Sequence, residues 1–337
     1  SNLAWDKPKI REEDIAGSAK LGAKWFRDGF FNVKNPEDFV DVVSRVKSKG
    51  MKMLALVTPS SSDYDAGENA YVHGGSDFLS LCGWVQGALP LSVINYKKLQ
   101  TRLRTQFDAL KAKQLTVDAF EIGNEIDWAC FNGDIPLGQI PTEAELVIAA
   151  RAYAWFLHAA YTVIKDPQYF PNAKIITFGM ANIPSSFIQH SHILDPAAFV
   201  ARLRNFEGYN YLNLVDGYGT HLYPDGTRIS DKNARSGQEL LQSNVATLGS
   251  DKAWWITEWG YATTLYNDSA RRAEAFEEFL TMVNSQYDLR LGPVFNYAYS
   301  SPSEVRNDGS GLQIYGMVNI RNRLLEEANV FWARYRF

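Results

Sequence analysis

Two glutamates in this 337-residue sequence each close an aromatic, weakly charged run. Glu125 ends Phe120-Glu121-Ile122-Gly123-Asn124-Glu125, and Glu258 sits in Trp254-Trp255-Ile256-Thr257-Glu258-Trp259-Gly260. Two carboxyl groups facing one another across a cavity suit the cleavage of a glycosidic bond. One protonates the leaving oxygen, the other stabilises or traps the oxocarbenium-like centre, and a separation of about 5 to 5.5 Å selects retention. Either glutamate alone reads as a solvated strand-end acid; the pair, in aromatic surroundings, weakens that reading. The acid must stay protonated near neutral pH while its partner stays ionised, so environment has to separate them. Proton cycling falls to Glu125: once a covalent intermediate removes the charge of Glu258, the proton affinity of Glu125 falls and it can act as base.

Carboxylates so far apart in the chain need a scaffold that brings strand ends together. Short β-rich runs alternate with amphipathic helical stretches throughout, the signature of parallel α/β architecture. The spacing predicts strands at Ala23 to Gly29, Lys52 to Pro59, Val117 to Ile126, Lys174 to Met180, Val215 to Tyr223, Ala253 to Tyr261 and Pro293 to Tyr299, preceded by a short first strand at Asn2 to Trp5. Asn35 before Pro36 opens a helix that Gly50 ends, with Phe39, Val42, Val43 and Val46 as its apolar stripe. Thr142 and Glu145 have capping-box spacing ahead of a helix running to about Ile164. Leu99, Leu103, Phe107 and Leu110 share one helical face, as do Phe276, Phe279, Leu280 and Val283. Eight such units give an α/β (β/α)8 TIM barrel. With no repeat, linker or low-complexity tract to divide it, residues 1–337 form a single catalytic domain. Long loops follow the third, fourth and eighth strands, on the face where this fold builds active sites.

On the Asn124-Glu125 pair and the Thr257-Glu258-Trp259-Gly260 run, the chain resembles glycoside hydrolase clan A, whose acid/base and nucleophile end the fourth and seventh strands. Families 39 and 5 are nearest in style. The resemblance implies a retaining mechanism with Glu125 as acid/base and Glu258 as nucleophile, and Asn124 on the 2-hydroxyl of the sugar. It matches Glu121, four residues before the acid/base. It makes Tyr223 of His221-Leu222-Tyr223 the residue that orients the nucleophile, and it lines the subsite with His221. Arg27 stands where similar enzymes keep the nucleophile ionised; an ion pair with Glu121 is the alternative, and both can hold together. The clan's eighth-strand Trp is absent, and Tyr297 or Tyr299 takes its place as sugar platform. Trp128, Phe131, Trp84 and Trp259 are further stacking candidates on the same face, each with loop packing as its alternative.

Composition narrows the partners. A net charge of −4 gives no basic face for nucleic acid. No run of about 18 apolar residues suggests a membrane span. At 13% aromatic residues, the chain has enough rings for either sugar-stacking surfaces or thick barrel layers, and composition leaves the two open. Cys82 and Cys130 fall in neighbouring loops, as a disulfide or as two buried thiols; a bridge supports an oxidising, extracytoplasmic compartment, with any export signal already removed. The expected substrate is a β-linked polysaccharide or oligosaccharide, cut internally by a monomer without cofactor or metal. The alternatives are an exo-acting β-glycosidase of the same clan and a non-catalytic glycan-binding barrel. A metal-dependent hydrolase built on His73, His190 and His192 is the other rival, but no strand end carries a His-x-His pattern.

Overall fold

The computed structural model describes residues 8–29, 35–83, 85–182, 193–224, 236–261 and 269–296. Seven strands form one all-parallel sheet in sequence order: β1 (Trp25–Gly29), β2 (Lys52–Val57), β3 (Ala119–Ile122), β4 (Lys174–Met180), β5 (Gly217–Leu222), β6 (Ala253–Trp259) and β7 (Leu291–Asn296). The described helices are α1 (Pro8–Lys20), α2 (Pro36–Ser48), α3 (Ser76–Cys82), α4 (Tyr96–Ala112), α5 (Glu143–Ile164), α6 (Pro196–Arg204), α7 (Gly237–Leu248) and α8 (Ser269–Asn284). The sheet curls until Trp25 of β1 meets Trp255 of β6 and Phe295 of β7 edge-on, so the barrel is nearly closed. The strand expected at residues 2–5 lies outside the described residues.

The helices form for the reasons their sequences give. Asn35 caps α2 by accepting from the Glu37 N–H ahead of a buried stripe of Phe39, Val42, Val43 and Val46. Thr142 and Glu145 complete a reciprocal capping box at the start of α5. α5 is long and apolar enough to cross a membrane by composition. Here it packs between α4 and α6, buries Phe156, Leu157 and Val163 in the core and sets Tyr153 against Phe178 of β4.

Alternation along the strands sorts residues into two cores. Met53, Phe120, Ile122, Phe178 and Trp254 face the helices, while Leu54, Ala119, Ile176, Trp255 and Phe295 fill the barrel. The Trp255 indole needs the glycines beside it: a Cβ would stand 2.9 Å from it at Gly217 and 2.7 Å at Gly292. Burying each such ring contributes on the order of 1.5–3 kcal/mol. Above this apolar floor, towards the C-terminal ends, lies a polar layer containing Arg27, Glu121, His221 and Glu258.

Glu258 would face outward if β6 alternated strictly from Trp255. The pairing with β5 runs Thr220↔Ile256 and then His221↔Glu258, so Thr257 is an extra, unpaired residue. This bulge turns Glu258 into the barrel. β4 carries a similar irregularity, pairing Ile176 with Gly217 and then Gly179 with Gly219. β7 starts earlier than its sequence suggests, and Pro293 is tolerated because the ladder skips from Leu291 to Val294.

Two long loops occupy the C-terminal side after β2 and β3, where the sequence places them after the third and fourth strands. The loop expected after the last strand lies outside the described residues. The Cys82–Cys130 disulfide joins the two described loops, as do the Ser92 N–H to Asp134 at 2.9 Å and the Gly133 N–H to Leu89 O at 3.2 Å. Arg102 of α4 clamps the start of the first loop with two 2.8 Å bonds to buried Asp63.

Candidate active site

β3 ends at Ile122 because the next residues leave the extended region. Gly123 has φ 92°, and a Cβ there would lie 2.9 Å from the Ile126 side chain. Asn124 keeps one bridge to Gly179 of β4. Glu125 takes φ 45°, left-handed for a non-glycine, with its N–H donating to Gly179 O at 3.1 Å and its carbonyl accepting from the Trp128 N–H at 2.9 Å. Such backbone costs on the order of 1–3 kcal/mol and concentrates where side-chain placement matters. Tyr153 of α5 supports the splayed strands from outside, donating to Ile122 O at 3.0 Å and accepting from the Phe178 N–H at 3.2 Å.

Arg27 spends its fork on three groups. Nε donates to Glu121 Oε2 at 2.6 Å, Nη1 to Glu258 Oε1 at 2.5 Å and Nη2 to Asn124 Oδ1 at 3.0 Å. Both pairings open in the sequence are thus made. The second oxygen of Glu258 accepts from the Tyr223 hydroxyl at 2.5 Å. His221 Nδ1 lies 2.7 Å from Glu125 Oε1 and 3.6 Å from Glu258 Oε2. One carboxylate oxygen each from Glu125 and Glu258 and a ring nitrogen of His221 lie within 4.8 Å of one another, so the two carboxylates meet over one point.

These surroundings separate the two acids. Burial alone pushes Glu258 up, but His221, Arg27 and the Tyr223 hydroxyl outweigh it and hold the carboxyl below its usual range. For Glu125 burial wins over His221, and its proton affinity is raised. Burial disfavours the guanidinium of Arg27, yet Glu121 and Glu258 more than offset this and keep it charged. Burial likewise opposes an imidazolium at His221, but Glu258 and Glu125 raise its proton affinity overall. Glu125, His221 and Glu258 have metal-binding atom types. However, both Glu258 oxygens are engaged by Arg27 and Tyr223, and the guanidinium charge works against a cation there.

Two expectations need correction. Trp259 does not face the site: it is fully buried on the helix side of β6, stacked on Phe279 at 4.2 Å, because the residue after inward-facing Glu258 must point outward. His221 lines no open subsite, since it is fully buried and its ring lies against Gly179, where a Cβ would come within 2.1 Å of Nε2. Trp128 is half-buried at the loop surface, edge-on to Phe131 at 5.7 Å and packed on the disulfide cluster. Trp84, His190, His192, Tyr297 and Tyr299 lie outside the described residues. His73 Nε2 sits 3.2 Å from Gly133 O between the two loops.

Asp127 was not singled out in the sequence. Nearly fully buried two residues beyond Glu125, it accepts the Ala181 N–H at 3.2 Å on each oxygen. Burial, with the nearby charge of Glu125, pushes its carboxyl up to about 7. The only sequence signal was an acid inside an otherwise apolar turn.

No protein-family model and no curated protein sequence matches the chain. Solved structures do. A fungal β-1,4-galactanase is 16% identical with TM-score 0.59, covering 98% of this chain and 91% of its own. The endo-1,4-β-D-mannanase of Thermotoga petrophila RKU-1 is 12% identical with TM-score 0.60, covering 99% and 97%. A β-glucosidase from Exiguobacterium marinum is 14% identical with TM-score 0.63, covering 99% and 88%. Over nearly its whole length, therefore, the chain has the TIM-barrel fold that these clan A glycoside hydrolases share.

Proposed function

We propose that the protein is a retaining β-glycoside hydrolase in which Glu258 is the nucleophile and Glu125 the acid/base. The observation that carries this reading is the pair of carboxylates meeting within 4.8 Å in opposite electrostatic settings. Glu258, ionised between Arg27 and Tyr223, attacks the anomeric carbon while Glu125 passes its proton to the departing oxygen. The covalent intermediate removes the negative charge of Glu258, the proton affinity of Glu125 drops, and Glu125 takes a proton from the attacking water. Arg27 fixes the Asn124 amide by donating to its oxygen, which leaves the amide NH2 for the sugar 2-hydroxyl. Trp128 and Phe131, half-buried on the loop after β3, are the aromatic faces we assign to sugar stacking.

A β-linked polysaccharide cut internally is the substrate class we favour; the galactanase and mannanase among the structural neighbours support it. The β-glucosidase neighbour keeps exo-action as the second reading. The Cys82–Cys130 bridge fits an extracytoplasmic enzyme acting on external glycan. The test is inactivation by 2-deoxy-2-fluoro glycosides followed by peptide mass spectrometry. A label on Glu258 is expected; a label elsewhere, or inverted product, ends the assignment. Product sizes early in digestion separate the modes, and a mono- or disaccharide as sole early product would end the endo reading.

A further inference from the structure

Among the described residues, two buried polar atoms in this site lack a hydrogen-bond partner, Glu121 Oε1 and His221 Nε2. They face each other at 3.9 Å from side chains with no solvent exposure. Their chemistry is complementary. Glu121 is ion-paired with Arg27 through Oε2, and the free oxygen of an ion-paired carboxylate, Oε1, acts as an acceptor. A bare nitrogen lone pair aimed at that oxygen would repel it, whereas an N–H attracts it. Inside the barrel little water screens the difference.

We propose that Glu121 is a positioning residue that fixes a hydrogen on His221 Nε2 and thereby makes Nδ1 the second seat of the Glu125 proton. Which imidazole nitrogen carries hydrogen is set by what the other nitrogen faces. Between Nδ1 and Glu125 Oε1, 2.7 Å apart, a single hydrogen is shared. It sits either on Glu125, with neutral His221 accepting, or on Nδ1, with an imidazolium donating to the carboxylate. Nε2 keeps its hydrogen in both forms. The other charged or titratable groups near the ring are Arg27 from β1, Asp127 from the turn after β3, Tyr223 and Glu258; burial and Arg27 oppose the extra proton, and Glu258 together with Glu125 outweighs them. The ring cannot swing away from this arrangement without meeting the Gly179 backbone.

The catalytic consequence rests on the roles proposed for Glu125 and Glu258, while the tautomer does not. In the first step the Glu125 O–H bond breaks and its proton goes to the departing oxygen, leaving the electron pair on the carboxylate. That carboxylate then faces the Nδ1 lone pair, a repulsion relieved when water supplies a proton to the pair in the second step.

Nitrogen NMR of ¹⁵N-histidine-labelled wild-type protein tests the idea without substrate, with the His221 signals identified by their loss in His221→Asn. A pyrrole-type Nε2 is expected, together with an Nδ1 that is pyridine-type or shares its proton. A pyrrole-type Nδ1 with a bare Nε2 overturns the proposal, even if fluorosugar labelling supports glycosidase action. In Glu121→Ala the Nδ1–H form should gain population. At pH above the optimum, kcat/KM for a slow-leaving aglycone should fall about tenfold, with little change for a dinitrophenyl aglycone, which needs no acid. Glu121→Gln, which can still present an oxygen to Nε2–H, should recover part of that loss; equal losses with both aglycones count against the proposal. If Glu121→Ala does not fold, the wild-type spectrum still decides.

Discussion

At the N-terminal end of the barrel, Asp118 and Asp216 stand just ahead of β3 and β5. Each accepts a backbone N–H from the neighbouring strand, Met53 at 2.7 Å and Ile175 at 2.9 Å, and each reaches lysines, Lys47 for one and Lys165 and Lys174 for the other. At the C-terminal end, Glu121, Glu125 and Glu258 are almost wholly buried, and their side-chain partners are Arg27 of β1, His221 of β5 and Tyr223 just past it. The lower acids each hold a backbone N–H of the adjacent strand and remain partly wet, so each can be neutralised at small cost. The upper acids depend on one shared guanidinium and imidazole, so removing any of them leaves an uncompensated buried charge. Both ends carry carboxylates; shared partners and the exclusion of water make one set suited to chemistry and leave the other structural.

The sharpest test of this contrast is Glu258→Ala. It should lower kcat/KM by at least about 10⁴-fold on whichever glycan the wild type cleaves, since it removes the proposed nucleophile. Near-normal turnover would break the comparison. Glu125→Gln should cost about 10²- to 10⁴-fold with a poor leaving group and far less in the first step with a dinitrophenyl aglycone. The wild-type pH profile should be a bell, its acid limb below the usual carboxylate range from Glu258 and its alkaline limb above it from Glu125 paired with His221.

Asp127 extends the comparison to stability. Its carboxyl rises from 3.8 to about 7 on folding, so the neutral form is the one the fold favours. Its contribution is fully present below the unfolded value and is lost as pH rises through the folded one, a difference of about 3 units or about 4 kcal/mol. Urea denaturation should therefore find Asp127→Asn gaining on the wild type between about pH 4 and pH 8, by up to about 4 kcal/mol. A gap that does not change with pH would mean the carboxyl is not buried in this way. The smallest effect belongs to the lower ring. Asp118→Asn keeps an acceptor for the Met53 N–H and loses the pair with Lys47, so it should cost about 1 kcal/mol or less and leave kcat/KM unchanged.

Much of this was legible because strand endings and helix caps are local signals. The Asn35 and Thr142 caps, the apolar stripes of α2 and α4, and the run ending in Glu258 all read directly. Three features did not, because they depend on how neighbouring strands register. Thr257 as the residue that turns Glu258 inward is set by pairing with β5, and nothing in Trp255-Ile256-Thr257-Glu258 announces a bulge. The same shift sends Trp259 to the helix layer, the face opposite the inward-pointing acid beside it. His221 looked like a subsite residue because its position on the strand was visible, while the backbone of Gly179 that seals it in was not. Asp127 is hidden in the sequence because its hydrogen-bond partner, the Ala181 N–H just past β4, lies 54 residues further on.

The left-handed backbone at position 125 restricts what can replace the residue, apart from any chemistry its side chain performs. Valine and isoleucine are penalised there by the geometry itself, whereas glycine, asparagine and aspartate fit it most easily. Drift at this position is thus steered by backbone geometry towards those three residues first, whatever the side chain does.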